Sequence, residues 1–210
     1  LLAEGLVANN QAVKVIGVYH HGYSSPDFET KKGVEIYRLR ADIKNSFSVF
    51  TAFWKLWQIV SKWVKEKKID LVECPDSYGL ISVLPTFGVP LVLRAHGNNT
   101  YFSSILNIPL KKKTLFYEWN LYRRANRYCA VSEFTANKMS AIYKIKQPIS
   151  VIYNGLEINS LESQSLTSEG YNSLASIQNP IIFSGTLTPK KGIYELVKAM
   201  VSLLEEGLDA

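Results

Sequence analysis

Short apolar runs rich in β-branched residues alternate with longer amphipathic segments, and this alternation constrains the fold more than any other feature of the chain. Val13 to Tyr19, Val34 to Leu39, Ile69 to Glu73, Leu91 to Leu93, Tyr128 to Val131 and Ile149 to Tyr153 read as strands. Val34 to Leu39 alternates more than the others and reads as lying nearer an edge. Helical signals fall between the strands: residues 1–9, a long stretch from Phe50 to Lys65, a short one from Tyr78 to Leu84, then Lys112 to Ala125 and Glu133 to Tyr143. Residues 41–48 read as loop, and 100–110 as loop or a short helical turn. Strands joined mostly by helices rather than hairpins indicate an α/β domain, a parallel sheet with helices on its faces.

The pattern lapses at 159–179, where Asn, Ser, Gln, Glu and Gly dominate. This reads as a linker or exposed loop. A strand restarts at Pro180 to Gly185, and a helix follows from Ile193 to about Glu206, with Ile193, Leu196, Val197, Met200, Leu203 and Leu204 as its apolar face and Gly207 as its stop. One strand and one helix cannot build a core. The expected organisation is a first domain over 1–158, a linker over 159–179, and the first strand and helix of a second domain over 180–210. The opening Leu-Leu-Ala-Glu-Gly-Leu-Val-Ala reads as the end of a helix, without an initiator Met or a basic signal-peptide region, so the chain reads as clipped at both ends.

Charge is uneven. Residues 1–158 carry 21 Lys and Arg against 12 Asp and Glu, a net +9, whereas 159–210 carry 3 against 6, a net −3. A basic first domain suits an anionic partner, or serves solubility alone. Nucleic acid is not expected: Lys111-Lys112-Lys113 and Arg123-Arg124 lack interleaved aromatics. Cys74 and Cys129 each end an apolar run and read as reduced core residues, which fits a cytosolic compartment. Two cysteines and three histidines make no case for a metal. No apolar run is long enough to span a bilayer. The helix from Phe50 to Lys65 does carry Phe53, Trp54, Trp57, Val60, Trp63 and Val64 interleaved with lysines. That pattern packs on a sheet or lies on a lipid surface.

Ligands of parallel α/β folds sit beyond the carboxyl ends of the strands. His20, Glu73, Asp76, His96, Ser132 and Asn154 all fall there. His96, ahead of Gly97, can donate to a substrate hydroxyl or phosphate, act as a base, or be an idle loop residue. Glu73 and Asp76 can hold sugar hydroxyls or work as acid and base. Ser132 opens a helix, so it caps the helix or helps hold an anion. Lys190-Lys191-Gly192 also stands at a helix N-terminus and suits a diphosphate, or is a solvated lysine pair. There is no G-x-G-x-x-G after a strand, no Walker A sequence and no G-x-S-x-G elbow, which argues against dehydrogenase, P-loop and serine-hydrolase chemistry.

Five motifs in order resemble one family: Glu73-Cys74-Pro75-Asp76; Arg94-Ala95-His96-Gly97; Val131-Ser132-Glu133-Phe134-Thr135-Ala136-Asn137-Lys138; Val151-Ile152-Tyr153-Asn154-Gly155-Leu156; and Phe183-Ser184-Gly185-Thr186-Leu187-Thr188-Pro189-Lys190-Lys191-Gly192. They are similar to the retaining GT-B glycosyltransferases of family 4, the glycogen-synthase-like and sucrose-synthase-like group. The resemblance implies two Rossmann-like domains, the second incomplete here. It implies a nucleotide-sugar donor, a glycan or lipid-linked acceptor held mainly by the first domain, and no metal or other cofactor. By position, His96 lies near the reaction centre, Lys191 with Gly185 and Thr186 on the donor diphosphate, and His20, Glu73, Asp76, Arg94, Asn98, Ser132 and Asn154 around sugar or acceptor. Thr186 stands where the family has an arginine, which weakens the diphosphate clamp. The resemblance implies work on glycans at the cytoplasmic membrane face, so peripheral contact with an anionic inner membrane is compatible with the basic Trp-rich helix. A chain with half a cleft is expected to be inactive alone. The alternative reading is a non-catalytic glycan- or membrane-binding domain derived from a truncated glycosyltransferase.

Overall fold

The computed structural model describes residues 2–77, 79–155, 181–188 and 191–207. The chain divides into two compact units, Leu1–Leu156 and Glu157–Ala210. The expected linker at 159–179, Pro180, the Tyr78 helix start and Lys190 lie outside the described residues.

In the first unit the elements run α1 (Leu2–Ala8), β1 (Lys14–His20), β2 (Phe28–Lys31), β3 (Val34–Ala41), α2 (Ser46–Lys65), β4 (Val72–Pro75), a 3-10 turn (Gly79–Val83), β5 (Leu91–Ala95), α3 (Asn99–Leu106), α4 (Lys112–Arg124), β6 (Arg127–Ala130), α5 (Glu133–Tyr143) and β7 (Ile149–Val151). The described strands form two sheets, ordered β1-β3-β2 and β4-β5-β6-β7. The four-stranded sheet is parallel throughout. In the other, β1 and β3 are parallel, pairing Lys14 with Glu35 through His20 with Ala41.

β3 is the middle strand of its sheet, not an edge, because β2 covers its far side. β2 and β3 form an antiparallel hairpin, a connection that the helix-and-strand alternation did not predict. Its turn is Lys32-Gly33, with φ of 48° and 78°; two successive positive φ values match the right-handed twist of the flanking strands. Gly33 is needed for a second reason: a Cβ there would lie 2.7 Å from Val7 of α1.

One continuous core joins both sheets. Phe53, Leu56, Val60 and Trp63 of α2 share it with Cys74, Leu91, Leu93, Leu121, Tyr122, Met139 and Tyr143, and Ile16, Val18, Tyr37 and Leu39 of the first sheet pack against it. α2 therefore does pack on the sheets, through a face spaced three and four residues apart. Its N-terminus is capped by Asn45, whose side chain accepts from the N–H groups of Phe47 and Ser48. Both cysteines are buried free thiols, and burial pushes Cys74 up to about 12. No helix among the described residues is long and apolar enough to cross a membrane.

α4 turns a mixed polar and apolar face inward. Glu118, Leu121 and Tyr122 are buried, whereas Leu115 and Phe116 are exposed. Glu118 sits beneath the start of α3, where it accepts from the N–H groups of Asn99 and Thr100. Within residues 100–110, read as loop or a short helical turn, the chain forms the eight-residue helix α3 (Asn99–Leu106) and then leaves it.

In the second unit, residues 181–188 make no strand pairing among the described residues, so the strand expected at 180–185 is not observed there. A strand needs a neighbour for its ladder. The helix α6 (Ile193–Glu205) is present, and none of its residues is buried.

Candidate functional site

The strands of the parallel sheet lead into polar residues shortly past their carboxyl ends, and in-register pairing lines those ends up. Pro75 pairs with Arg94, Ala95 with Ala130 and Ala130 with Val151. Asp76 and His96, directly after β4 and β5, and Ser132, two residues past the end of β6, therefore emerge along one rim.

The rim centres on the loop from His96 to Thr100. Asp76 is fully buried and its carboxylate accepts from the N–H of His96 at 3.2 Å, the N–H of Gly97 at 3.3 Å and the Tyr122 hydroxyl at 3.2 Å. Glu118 is also buried; its Oε1 accepts from the N–H of Asn99 at 3.1 Å and its Oε2 from the N–H of Thr100 at 2.9 Å. Both Asn99 and Thr100 add side-chain donors to the same carboxylate. Asn98, between the two clamps, caps α3 by accepting from the N–H of Tyr101 at 3.0 Å and donates to the Tyr143 hydroxyl at 2.7 Å. The Tyr143 ring stacks on Tyr122 at 3.7 Å. Two carboxylates at one helix N-terminus oppose its positive end, so the site is charge-compensated from below. Burial holds the Asp76 carboxyl above its ordinary range, offset only in part by the donors from His96, Tyr122 and Gly97. Burial likewise raises the Tyr122 and Tyr143 hydroxyls; Tyr122 stays protonated and donates to Asp76, while Tyr143 accepts from Asn98.

His96 itself is exposed above this fixed loop. The structure thus joins three sequence-selected residues, His96, Asp76 and Asn98, but gives only His96 a free side chain. Asp76 and Asn98 face inward and hold the loop.

Glu73 and Arg94 form a second joined pair. The guanidinium meets the carboxylate through two bonds, Nε to Oε1 at 2.7 Å and Nη2 to Oε2 at 3.1 Å. Glu73 holds the buried Arg94 above its ordinary range. Ser132 serves as the cap of α5, its hydroxyl accepting from the N–H of Thr135 at 3.1 Å. Asn154 is exposed just past β7, apart from these pairs. His20 is exposed at the end of β1, edge-on to Tyr23, in an open concavity of about 550 Å³ shared with His21, Asp42, Ile43 and Lys44.

A second cleft, of about 460 Å³, opens among Val18 of β1, Ile43 before α2, Phe53 within α2, Ser77 after β4, and Asn99 and Glu118 below the His96 loop. It joins apolar walls to polar groups, the usual make-up of a small-ligand site. Residue types alone missed Glu118, Ser77 and Ile43. A signal did exist for Glu118: it is the one acidic residue in a basic helix and lies three and four residues before Leu121 and Tyr122.

In the second unit, Gly185 and Thr186 are exposed, and the N–H of Lys191 donates to Thr188 O at 3.0 Å. A Cβ at Gly185 would sit 3.8 Å from the Lys191 side chain, so these two candidates are neighbours. Gly192 starts α6 with φ of 75° and no side-chain cap, which leaves the first N–H groups of that helix without a capping side chain. Among the described residues, no group of three or more His, Cys, Asp or Glu side chains is arranged to hold a metal ion.

Comparison with known proteins bears on the same region. The family model for Glycosyltransferase Family 4 matches residues 1–160. An uncharacterized glycosyltransferase of Methanocaldococcus jannaschii is 26% identical over 220 residues, covering 97% of this chain and 54% of the relative. Among solved structures, sucrose-phosphate synthase from Thermosynechococcus elongatus superposes with a TM-score of 0.69 at 17% identity, over 96% of this chain and 52% of that one. The latter likeness is one of fold. The chain spans about half the length of each of these two proteins.

Proposed function

The chain belongs to Glycosyltransferase Family 4, and from that premise we propose that it supplies the acceptor-side domain of an enzyme that moves a sugar from a nucleotide-sugar to a glycan or lipid-linked acceptor, with retention of configuration. The observation that carries this reading is the His96 loop. An exposed imidazole stands at the carboxyl end of a central strand, on a backbone whose N–H groups at 96, 97, 99 and 100 are all held by two buried carboxylates. A group fixed in this way loses little freedom when substrate arrives, and such positioning lowers barriers.

In the proposed reaction the acceptor hydroxyl oxygen bonds to the anomeric carbon. The bond from that carbon to the diphosphate breaks, and the hydroxyl proton ends on the departing diphosphate. His96 donates to the donor sugar or its phosphate near the reacting carbon. Lys191, with Gly185, Thr186 and the first N–H groups of α6, takes the diphosphate charge. His20 and Asn154, both exposed, meet sugar or acceptor hydroxyls. Glu73, Arg94, Asp76, Asn98 and Ser132 act one step back, by holding the rim in shape. No metal or other cofactor is assigned a step. A soluble nucleotide-sugar and two buried free thiols favour a cytoplasmic setting.

The test is nucleotide-sugar transfer or hydrolysis by the full gene product and two variants. His96→Ala is expected to lower turnover about 100-fold or more. Lys191→Ala is expected to weaken donor use by about tenfold or more. Unchanged kinetics in both variants would overturn the assignment.

A further inference from the structure

The loop after β1 is exposed and yet firmly held. Arg40 of β3 donates to the Tyr23 carbonyl at 2.7 Å, to the Ser25 carbonyl, and to the Asp27 carboxylate at 2.6 Å. Arg38 donates to the Pro26 carbonyl at 2.9 Å, and the Tyr23 N–H closes a turn on the His20 carbonyl at 3.1 Å. Two arginines thus place four donors on one surface loop. The Tyr23 ring is fixed with it. It lies 4.9 Å from Tyr19 and 5.8 Å from the Arg40 guanidinium, with His20 edge-on to it, and it remains 39% exposed. A side chain held this way loses little freedom on meeting a ligand.

Beside Tyr23 is the 550 Å³ concavity at the carboxyl ends of β1 and β3. Gly22 keeps it open, since a Cβ there would come within 3.3 Å of His20 Nδ1. Lys14, Arg38 and Arg40 of the same sheet are committed to Glu35, Glu29 and Asp27. The side chains of His20, His21 and Lys44, which line the concavity, make no hydrogen bond or ion pair among the described residues. Asp42, also in the lining, uses one oxygen to accept from the N–H of Lys44 at 3.0 Å. The concavity therefore offers two imidazoles, one ammonium group and a carboxylate oxygen next to a fixed aromatic ring.

That set selects among ligands. The ammonium group suits a phosphate or carboxylate. The second Asp42 oxygen and the imidazoles suit hydroxyls, and the aromatic face suits the C–H face of a pyranose ring. An apolar ligand would leave Lys44 and Asp42 unpaired, and a bare anion would make no use of Tyr23 or Asp42. Ile43 lines both this concavity and the 460 Å³ cleft that extends to Asn99 below the His96 loop.

We infer that the concavity is a subsite for an acidic sugar unit of the acceptor, with Lys44 on its phosphate or carboxylate, His20, His21 and Asp42 on its hydroxyls, and Tyr23 against its ring. The inference rests on reading this rim as the acceptor side. Its test uses no donor, so it fails separately from the transfer assay.

The experiment is a proton–carbon NMR correlation of the histidine Cε1–H groups in the 210-residue chain, which has three histidines. The titrants are glucose, glucose 6-phosphate, glucuronate and inorganic phosphate. At least one of the two acidic sugars is expected to shift the His20 and His21 signals saturably, about tenfold more tightly than glucose or inorganic phosphate, and to leave His96 in place. Which of the two binds identifies the oxyanion. Lys44→Gln, a change to an exposed side chain, is expected to remove the tenfold preference over glucose without moving the melting temperature. Tyr23→Ser is expected to weaken the acidic sugar about fivefold. Absence of any shift, shifts confined to His96, glucose binding as tightly as both acids, or affinities unchanged by either variant each overturns the inference. So does inorganic phosphate binding as tightly as the sugar phosphate, which would make this a site for an adventitious ion only.

Discussion

At the scale of single residues, the site is held up from beneath. Polar residues that the strand ends placed correctly divide by direction: His96 and His20 face solvent, whereas Asp76 and Asn98 face the protein. Which way each points depends on what lies under the loop, and the local sequence carries no record of that. Under it lie Tyr122 and Glu118 of α4, more than twenty positions away from Asp76. Glu118 accepts from two backbone N–H groups and two side chains at the start of α3. Removing both carboxylate oxygens strands those donors in a buried place. Glu118→Leu is therefore expected to cost about 3 kcal/mol of stability, read as a lower urea midpoint at unchanged slope. Glu118→Gln keeps one acceptor and is expected to cost less. Equal stability of Glu118→Leu and wild type would show that the clamp contributes nothing.

Elements differ in how much of themselves their sequences reveal. α5 needed only a serine cap and a run of helix formers, and its limits match the reading from Glu133 to Tyr143. β2 is four residues, two of them charged, and only its pairing with β3 makes it a strand. α4 has apolar residues on more than one face, so periodicity did not fix which side goes inward; the requirement for Glu118 under α3 did. The hairpin turn gives an element-scale test. Gly33→Ala combines an unfavourable positive φ with a Cβ 2.7 Å from Val7. Its expected cost is about 2 kcal/mol, partly recovered in the Val7→Ala background, where the contact is relieved but the backbone strain is not. Purely additive effects of the two substitutions, measured by chemical denaturation, would remove the contact from the account.

For the whole molecule, the core belongs to the first unit. It joins two sheets through α2, α4 and α5, and every buried residue among those described lies before residue 157. A chain ending at Leu156 is accordingly expected to melt within about 3 °C of the 210-residue chain, with the same near-ultraviolet circular dichroism. A drop of 10 °C or more would show that the second unit contributes to the stability of the first. By itself the sequence determined the α/β class, the order of most strands and helices, the family resemblance and the strand ends where polar chemistry gathers, because periodicity, caps and short motifs are local properties of a chain. Only the tertiary structure decided that Asp76 and Glu118 hold the His96 loop from below, that α4 turns Glu118 inward, and that α2 buries Trp63 while leaving Phe47, Phe50 and Trp54 outside. Each of those outcomes depends on residues far apart in sequence competing for the same buried space, and nothing within a local window states which of them occupies it.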